Sequence, residues 1–123
     1  MSEKGIILFG HGARNQEYQE PFLRIKANVQ LLDPAAQVEI GFLELMQPTF
    51  EMAVDTLIAQ GVRRIVVVPI FFAPGRHVLR DLPPLAANAM ERYPELEIEI
   101  SQAVGESPAV VAAMARFAID CAA

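Results

Sequence analysis

The fold is decided by the stretch Ile65-Val66-Val67-Val68-Pro69-Ile70-Phe71-Phe72-Ala73-Pro74-Gly75-Arg76-His77. Eight of its first nine residues are apolar and leave no polar face, which is typical of a parallel strand covered on both sides. Pro74 and Gly75 predict the end of this strand and leave His77 at its carboxyl end, just before a helix. Ligands bind at that end in open α/β sheets, so we expect a binding site around His77.

Three further strands are predicted. Residues 5–9 form a second short apolar run, which Gly10-His11-Gly12 follows. Residues 38–42 and 96–100 alternate between apolar and other residues, as strands at the edge of a sheet do. Each strand is followed by an amphipathic helical pattern, so the chain is an α/β protein with a parallel sheet and helices on both faces. With two central and two edge strands, the predicted strand order is 2-1-3-4.

Helix boundaries follow from proline, glycine and capping residues. The first helix is predicted from Tyr18 to the residue before Asp33, and the second from Pro48 to Gly61. Asp81 is expected to cap the third helix, because a first turn is where Pro83 and Pro84 are tolerated. The last helix opens at Ser107-Pro108. Five of its residues are expected to face the core: Val110, Ala113, Met114, Phe117 and Ala118.

Composition limits the function classes. A chain of 123 residues that is 53% hydrophobic is expected to form a single domain over 1–123. A net charge of -5 argues against a nucleic-acid binder, which needs a clustered basic face. The single cysteine, Cys121, fits a reducing compartment, and the chain opens without a long apolar segment. We therefore expect a cytoplasmic protein that does not enter a membrane.

Three side chains with metal-binding chemistry are evenly spaced. His11, Glu44 and His77 are 33 residues apart in each case, which is one strand-helix unit. Equal spacing predicts equivalent positions at the ends of three adjacent strands, where the side chains can meet at one ion. Two imidazoles and a carboxylate suit a divalent first-row metal such as iron, cobalt or nickel. Three protein ligands would leave coordination positions open for exchange or reaction. Alternatively, Glu44 caps the second helix and each histidine is an ordinary surface residue.

Arginines near the two histidines suggest an anionic ligand. Arg14, Arg76 and Arg80 lie within three residues of His11 or His77. Guanidinium groups pair with carboxylates, although a single arginine is more often a solvated surface residue. The chain contains neither a dinucleotide-binding glycine motif nor a P-loop, so we expect no nucleotide cofactor.

Three longer motifs stand in order along the chain: Ile7-Leu8-Phe9-Gly10-His11-Gly12-Ala13-Arg14, then Gly41-Phe42-Leu43-Glu44, then Val68 to Val78 with Asp81-Leu82-Pro83. With this spacing they resemble the short sirohydrochlorin chelatases of siroheme and cobalamin synthesis, and the similarity covers nearly the whole chain. It departs from that family at Ala13, where serine is usual, and at Phe72-Ala73, where leucine is common.

The resemblance implies a lyase-type metal chelatase with a flavodoxin-like winding of its sheet. Such an enzyme inserts Co²⁺ or Fe²⁺ into sirohydrochlorin, a carboxylated tetrapyrrole, and needs no nucleotide; Ni²⁺ stays open as a further substrate. His11 and His77 match the metal-binding and proton-accepting histidines of the family, and Glu44 matches its active-site acid. Longer chelatases resemble two copies of this unit around one cleft. A chain with one chelatase-like unit is therefore expected to form a homodimer with twofold symmetry.

Two other functions fit the same residues. A protein that carries Co²⁺ or Ni²⁺ to a partner would bind metal without inserting it. A phosphatase with His11 as nucleophile would also place a histidine and a glycine after its first strand. Histidine phosphatases usually carry arginine just before that histidine, however, and here the residue is Gly10.

Overall fold

The computed structural model describes residues 4–73 and 75–123, and for His77 it describes the backbone alone. Pro74, which we expected to help end the third strand, lies outside the described residues. The strands are β1 (Lys4–Gly10), β2 (Gln37–Phe42), β3 (Arg64–Pro69) and β4 (Glu97–Ile100). The helices are α1 (Glu20–Leu32), α2 (Phe50–Ala59), α3 (Arg76–Arg92) and α4 (Pro108–Ala122). Two short 3₁₀ turns, Gln16–Gln19 and Val104–Glu106, precede α1 and α4.

The four strands form one parallel sheet in the order β2-β1-β3-β4. This confirms the predicted α/β class and strand order. The two apolar strands, β1 and β3, are central, as expected for strands without a polar face. β1 is buried on both faces at its carboxyl end, whereas β3 is fully buried on one face and half-buried on the other. The two alternating strands lie at the edges, as expected. All strands are parallel, so their carboxyl ends meet along one rim of the sheet.

Alternate side chains of the strands point to two different faces. We call the side packed beneath α2 and α3 the covered face. Its buried residues are Ile7, Phe9, Phe50, Ala53, Val54, Leu57, Val62, Ile65, Val67, Val78, Leu82, Ala89 and Leu96. We call the side beneath α1 the half-covered face. Its buried residues are Leu8, Phe22, Val38, Ile40, Phe42 and Met46.

The boundaries of the third strand and third helix differ from those predicted. β3 ends at Pro69, several residues before the expected stop, because its neighbours β1 and β4 also end there. α3 then begins at Arg76, after an extended Gly75, so Asp81 does not cap it. Pro83 and Pro84 lie inside the helix rather than in its first turn. The helix continues through them without the two hydrogen bonds that their missing N–H groups would make.

The first two helices match expectation more closely. Pro21 lies in the first turn of α1, where its missing N–H costs nothing. α2 begins at Phe50 rather than Pro48, because Thr49 caps it by accepting a hydrogen bond from the Met52 N–H at 3.2 Å. Among the helices in the described part of the chain, none is long and apolar enough to cross a membrane.

The prediction for α4 was wrong in one respect. The helix exists, but none of its residues is buried, so the five expected core residues do not face this chain's own core. The first half of α4 lies next to the segment after β3, where Val110 and Met114 line a groove with Phe71 and Phe72. A period of 3.6 residues identifies which face of a helix is apolar, but it does not identify the surface that covers that face.

Candidate functional site

His11 and Glu44 lie side by side at the rim of the sheet. β1 and β2 pair in register up to Gly10 and Phe42. The pairing then continues past both strands, because the Leu43 N–H donates to the Gly10 carbonyl at 2.9 Å and the Glu44 N–H donates to the His11 carbonyl at 3.1 Å. As a result, His11 Nε2 lies 3.4 Å from Glu44 Oε2. Both side chains remain partly exposed to solvent, with exposed fractions of 36% and 47%.

Gly12 is required for this approach. Its φ angle is 98°, in the left-handed region that favours glycine. A Cβ atom at this position would overlap the carbonyl oxygen of Glu44. Leu45, the residue after Glu44, also has a positive φ of 70°. A non-glycine residue in this region costs about 1–2 kcal/mol, so the turn that presents Glu44 is held under strain by its surroundings.

An aromatic cluster supports the rim from the half-covered face. The Phe22 ring packs edge-on against Phe42, with ring centroids 5.1 Å apart, and Tyr18 contacts both rings. A Cβ atom at Gly10 would overlap the Phe22 ring, so the residue before His11 must also be glycine for this packing. The sequence analysis did not identify Phe22 as a support, because its position beneath the rim depends on where α1 crosses the sheet.

The ring of His11 is oriented by its own loop. Its Nδ1 lies 3.3 Å from the Gly12 carbonyl oxygen. The Gly12 carbonyl at Nδ1 and the Glu44 carboxylate at Nε2 both accept hydrogen bonds only, so each contact is satisfied by a proton on the nitrogen that faces it. The two contacts together fix the orientation of the ring, with Nε2 directed towards Glu44.

The structure describes only the backbone of His77, the third residue of the predicted metal site. The backbone of His77 lies in the first turn of α3, at the carboxyl end of β3. Its side chain is outside the described residues, so its contribution to a shared site stays a prediction. Among the side chains that the structure does describe, no group of three His, Cys, Asp or Glu residues could hold a metal ion.

The three arginines lie at the same end of the molecule and are exposed. Arg14 is in the loop after β1, whereas Arg76 and Arg80 are in the first turns of α3. Arg80 donates from Nε to Asp81 Oδ1 at 3.1 Å, and three quarters of its side chain remains exposed. Their position is compatible with an anionic ligand at this rim. Their role as substrate-binding residues stays a prediction.

One further feature of this end was missed by sequence reasoning. A mainly apolar cavity of about 220 Å³ lies between α3 and the segment after β4. Val78, Leu82, Ala103 and Glu106 are among its lining residues. These residues come from separate parts of the chain, and no local pattern links them. The sequence therefore carried no signal for this cavity.

Comparison with known proteins identifies the relatives of this chain. The CbiX family model matches residues 5–120. A sirohydrochlorin cobaltochelatase from Saccharolobus solfataricus is 39% identical over 101 residues, which cover 79% of this chain and 77% of the relative. A second one, from Methanocaldococcus jannaschii, is 39% identical over 82 residues, or 67% of this chain. This chain covers only 57% of the length of that relative.

The fold is also similar to a solved structure that contains metal. The sirohydrochlorin chelatase SirB from Bacillus subtilis subspecies spizizenii, in complex with cobalt, matches with a TM-score of 0.81 and 30% sequence identity. The match covers 97% of this chain and 51% of SirB, so this chain corresponds to about half of that protein. Since the family model spans nearly all of the sequence and the sheet has the same architecture as a cobalt-bound relative, this chain belongs to the CbiX family.

Proposed function

We propose that this chain is a chelatase that inserts a divalent metal, Co²⁺ or Fe²⁺, into sirohydrochlorin. The observation that carries the proposal is the pair of His11 Nε2 and Glu44 Oε2, 3.4 Å apart at the rim of the sheet. The cobaltochelatase relatives and the cobalt-bound SirB support the same chemistry. Ni²⁺ is a further candidate ion, because ligand sets of nitrogen and oxygen discriminate weakly among these metals.

The spacing of the pair suits a shared ion. Nitrogen and oxygen ligands lie about 2.0–2.2 Å from a divalent first-row metal, so two ligand atoms on the same ion are about 3–3.5 Å apart. The Nε2 to Oε2 distance of 3.4 Å falls within this range without any movement of the backbone. His77 is proposed as the third ligand, from the first turn of α3. Three protein ligands leave positions through which the ion can pass to the macrocycle.

The same residues can take part in proton transfer. Two pyrrole N–H protons leave sirohydrochlorin as the ion enters, so bases are needed close to the macrocycle. A neutral imidazole and a carboxylate can both accept a proton. The partial exposure of His11 and Glu44 gives these protons a route to solvent. Holding the ion next to the macrocycle also replaces a slow encounter in solution by a local transfer.

Binding of the macrocycle is assigned to the arginines of the rim. Sirohydrochlorin carries several carboxylates, and guanidinium groups bind carboxylates through paired hydrogen bonds. Arg14, Arg76 and Arg80 are exposed at the rim and are proposed to hold these carboxylates. No step of this reaction requires a nucleotide.

Beyond the reaction itself, we assign residues 1–123 to one chelatase-like domain that works in the cytoplasm as a homodimer. Cobalamin and siroheme synthesis both use a metallated sirohydrochlorin, so the product belongs to one of these two pathways. A dimer brings two copies of the rim into one assembly, in keeping with the match to half of the SirB chain.

The proposal can be tested by following metallation under anaerobic conditions. Purified protein is mixed with sirohydrochlorin and Co²⁺ or Fe²⁺, and the absorption change is compared with the rate without protein. We expect the wild type to accelerate metallation, and His11→Ala and Glu44→Gln to slow it by about 10²-fold, the usual range for a lost proton-transfer group. His77→Ala should show a loss of similar size if its side chain joins the site.

Glu95→Gln provides the matched control, since Glu95 is an exposed carboxylate just before β4, at the end of the sheet opposite to the rim. It should retain the wild-type rate. Absence of acceleration by the wild type would contradict the proposal. If such a protein still bound Co²⁺ through His11 and Glu44, it would instead be a metal carrier.

A further inference from the structure

Met46 connects the loop that carries His11 to the turn that carries Glu44. Its Sδ atom accepts a hydrogen bond from the Ala13 N–H, with 3.3 Å between sulfur and nitrogen. The Met46 side chain is only 6% exposed and belongs to the buried cluster beneath α1. A thioether sulfur is a weak acceptor, so it does not need this bond for its own burial, whereas a backbone N–H does need an acceptor. The contact therefore matters for the loop after β1.

This hydrogen bond extends the pairing of the two segments beyond the end of the sheet. Backbone pairing reaches as far as the Glu44 N–H, which donates to the His11 carbonyl at 3.1 Å. Leu45 then turns the chain, with its positive φ of 70°. After this turn the connection passes from backbone to side chain, because the Met46 sulfur accepts from the Ala13 N–H. The loop after β1 is therefore held both at His11 and two residues beyond it.

The turn at Leu45 places two neighbouring side chains in different surroundings. Glu44 is partly exposed beside His11, whereas Met46 is buried beneath the rim. The strained residue between them fixes their relative position, because its surroundings hold it in the left-handed region. The distance from the sulfur to the carboxylate is therefore set by three consecutive residues, and through the sulfur the position of Ala13 relative to Glu44 is set as well.

Ala13 lies between two residues of the proposed site. It follows His11 by two residues and directly precedes Arg14, which is proposed to bind a carboxylate of the macrocycle. Two residues of chain span at most about 7 Å, so an anchored Ala13 nitrogen restricts where the backbone of either residue can lie. The buried cluster around Met46 gives this anchor a fixed base.

We propose that Met46 is a positioning residue of the metal site. Its sulfur holds the Ala13 N–H, which keeps the His11 ring beside Glu44 and sets the point from which Arg14 extends. Met46 acts through the loop rather than by touching the ion. An unbranched thioether suits this position because it fills an apolar gap and also accepts a hydrogen bond. The inference rests on the proposed function for the roles of His11 and Arg14, whereas the hold on the loop does not depend on metal insertion.

Met46→Leu separates the hydrogen bond from the packing. Leucine keeps the apolar volume, so the fold should stay intact, but it removes the acceptor of the Ala13 N–H. Ile40→Leu is the matched control, since Ile40 is 4% exposed in the same buried cluster and its side chain makes no hydrogen bond. In hydrogen exchange followed by NMR without metal, the Ala13 amide should exchange about three- to tenfold faster in Met46→Leu than in the wild type. The control should keep the wild-type rate.

Two further measurements show whether the freed loop moves the site. The ring-proton signals of His11, assigned with His11→Ala and recorded at a fixed pH without metal, should shift in Met46→Leu and stay in place in Ile40→Leu. With Co²⁺ added, the dissociation constant measured by calorimetry should rise about three- to tenfold in Met46→Leu. The visible absorption of the bound ion should also change, because it reports the arrangement of the ligands. A residue that only packed the core would alter the free energy of unfolding and none of these signals.

Three outcomes would overturn the proposal. They are an Ala13 exchange rate that does not respond to Met46→Leu, ring signals of His11 that stay in place, and Co²⁺ bound by the variant with an unchanged dissociation constant and spectrum. The first would mean that the loop is held by other contacts, and the other two that Met46 only packs the core. The exchange and ring-signal measurements contain neither metal nor sirohydrochlorin. They can therefore fail while metallation succeeds, and the reverse also holds.

Discussion

On the covered face of the sheet, α2 and α3 pack over both central strands, whereas on the half-covered face α1 lies over β1 and β2 and leaves Val66 and Val68 of β3 only half-buried. The two faces are built from the same kinds of residue, since β3 alternates between Ile65 and Val67 on one side and Val66 and Val68 on the other. Composition does not explain the difference. The difference arises from the number of helices that pack on each face: α2 and α3 on the covered face, and α1 on the half-covered face.

Two helices also differ in how much of their apolar side is buried in this chain. α2 and α4 both carry apolar residues at helical spacing, and α2 buries Phe50, Ala53, Val54 and Leu57. α4 buries none of its residues. Apolar residues at helical spacing therefore do not by themselves show that a helix packs on the sheet of its own chain.

The largest expected effect on the free energy of unfolding comes from creating a cavity in the core of the covered face. Phe9 is fully buried and packs edge-on against Phe50, with ring centroids 6.0 Å apart. Phe9→Ala should lower the free energy of unfolding by about 3–5 kcal/mol, measured by urea denaturation, because it leaves a cavity in the closed core. Phe72→Ala is the control, since Phe72 is 78% exposed. Equal losses for the two variants would contradict the assignment of this face as the main core.

The next effect concerns the rim, where the two faces meet. Gly12→Ala places a Cβ atom against the Glu44 carbonyl in addition to straining a left-handed residue, so it should cost about 2 kcal/mol or more. It should also weaken Co²⁺ binding, measured by calorimetry, because it separates Glu44 from His11. Gly61→Ala is a matched control, since Gly61 has a φ of 89° and nothing within 4 Å of an added Cβ atom. It should cost less and leave Co²⁺ binding unchanged.

Adjacent valines on β3 provide the sharpest comparison of the faces. Val67 is fully buried on the covered face, and Val67→Ala should cost about 2 kcal/mol at any protein concentration. Val66 is half-buried on the half-covered face. Val66→Ala should cost less than about 1 kcal/mol, because part of its side chain is already exposed to solvent. Urea denaturation measures both effects. Equal losses for the two variants would contradict the difference between the two faces.

Sequence patterns predicted the sheet because its strands carry unambiguous signals. The two apolar runs, which end at Gly10 and Pro69, belong to central strands, and the alternating runs belong to edges. The expectation that β3 is covered on both sides was only half met, because Val66 and Val68 stay half-buried. The separation of 33 residues between His11 and Glu44 is one strand-helix unit, so it predicted that they would follow neighbouring strands and lie side by side. These features depend on local periodicity and on the regular repeat of the fold, both of which are visible in one sequence.

The remaining features depend on contacts between distant segments. The rule that prolines belong in a first turn placed the start of the third helix at Asp81, whereas the end of β3 allows α3 to begin at Arg76. α4 buries none of its residues, although its apolar spacing predicted a core-facing helix. The packing of Gly105 on Phe72, just before α4, is likewise a contact that no periodicity reports. The packing of the Phe22 ring against Gly10, the residue before His11, is also a contact between distant segments. Such contacts become visible only once the chain is folded.

The smallest expected effect is at the end of the covered face furthest from the rim, where α2 is tied to α3. Asp55 Oδ1 accepts hydrogen bonds from the Tyr93 hydroxyl at 2.7 Å and from Arg92 Nη1 at 2.9 Å. The Tyr93 hydrogen bond and, after it, the Arg92 guanidinium hold the pKa of Asp55 below its usual value near 3.8. Because the folded-state pKa is the lower one, this stabilisation is present above the unfolded value and is lost as the pH falls through the folded value.

Asp55→Asn should therefore lower the free energy of unfolding by only about 0.5 kcal/mol near pH 7, since the carboxylate is half-exposed and its interactions are screened. The difference between variant and wild type, measured by urea denaturation, should shrink as the pH falls below 3.8 and through the lowered folded-state pKa of Asp55. Tyr93→Phe removes the largest single contribution and should reproduce much of the loss. A difference that stayed constant with pH would mean that Asp55 acts through packing. The covered face would then be closed by apolar contacts alone, from the rim to its far end.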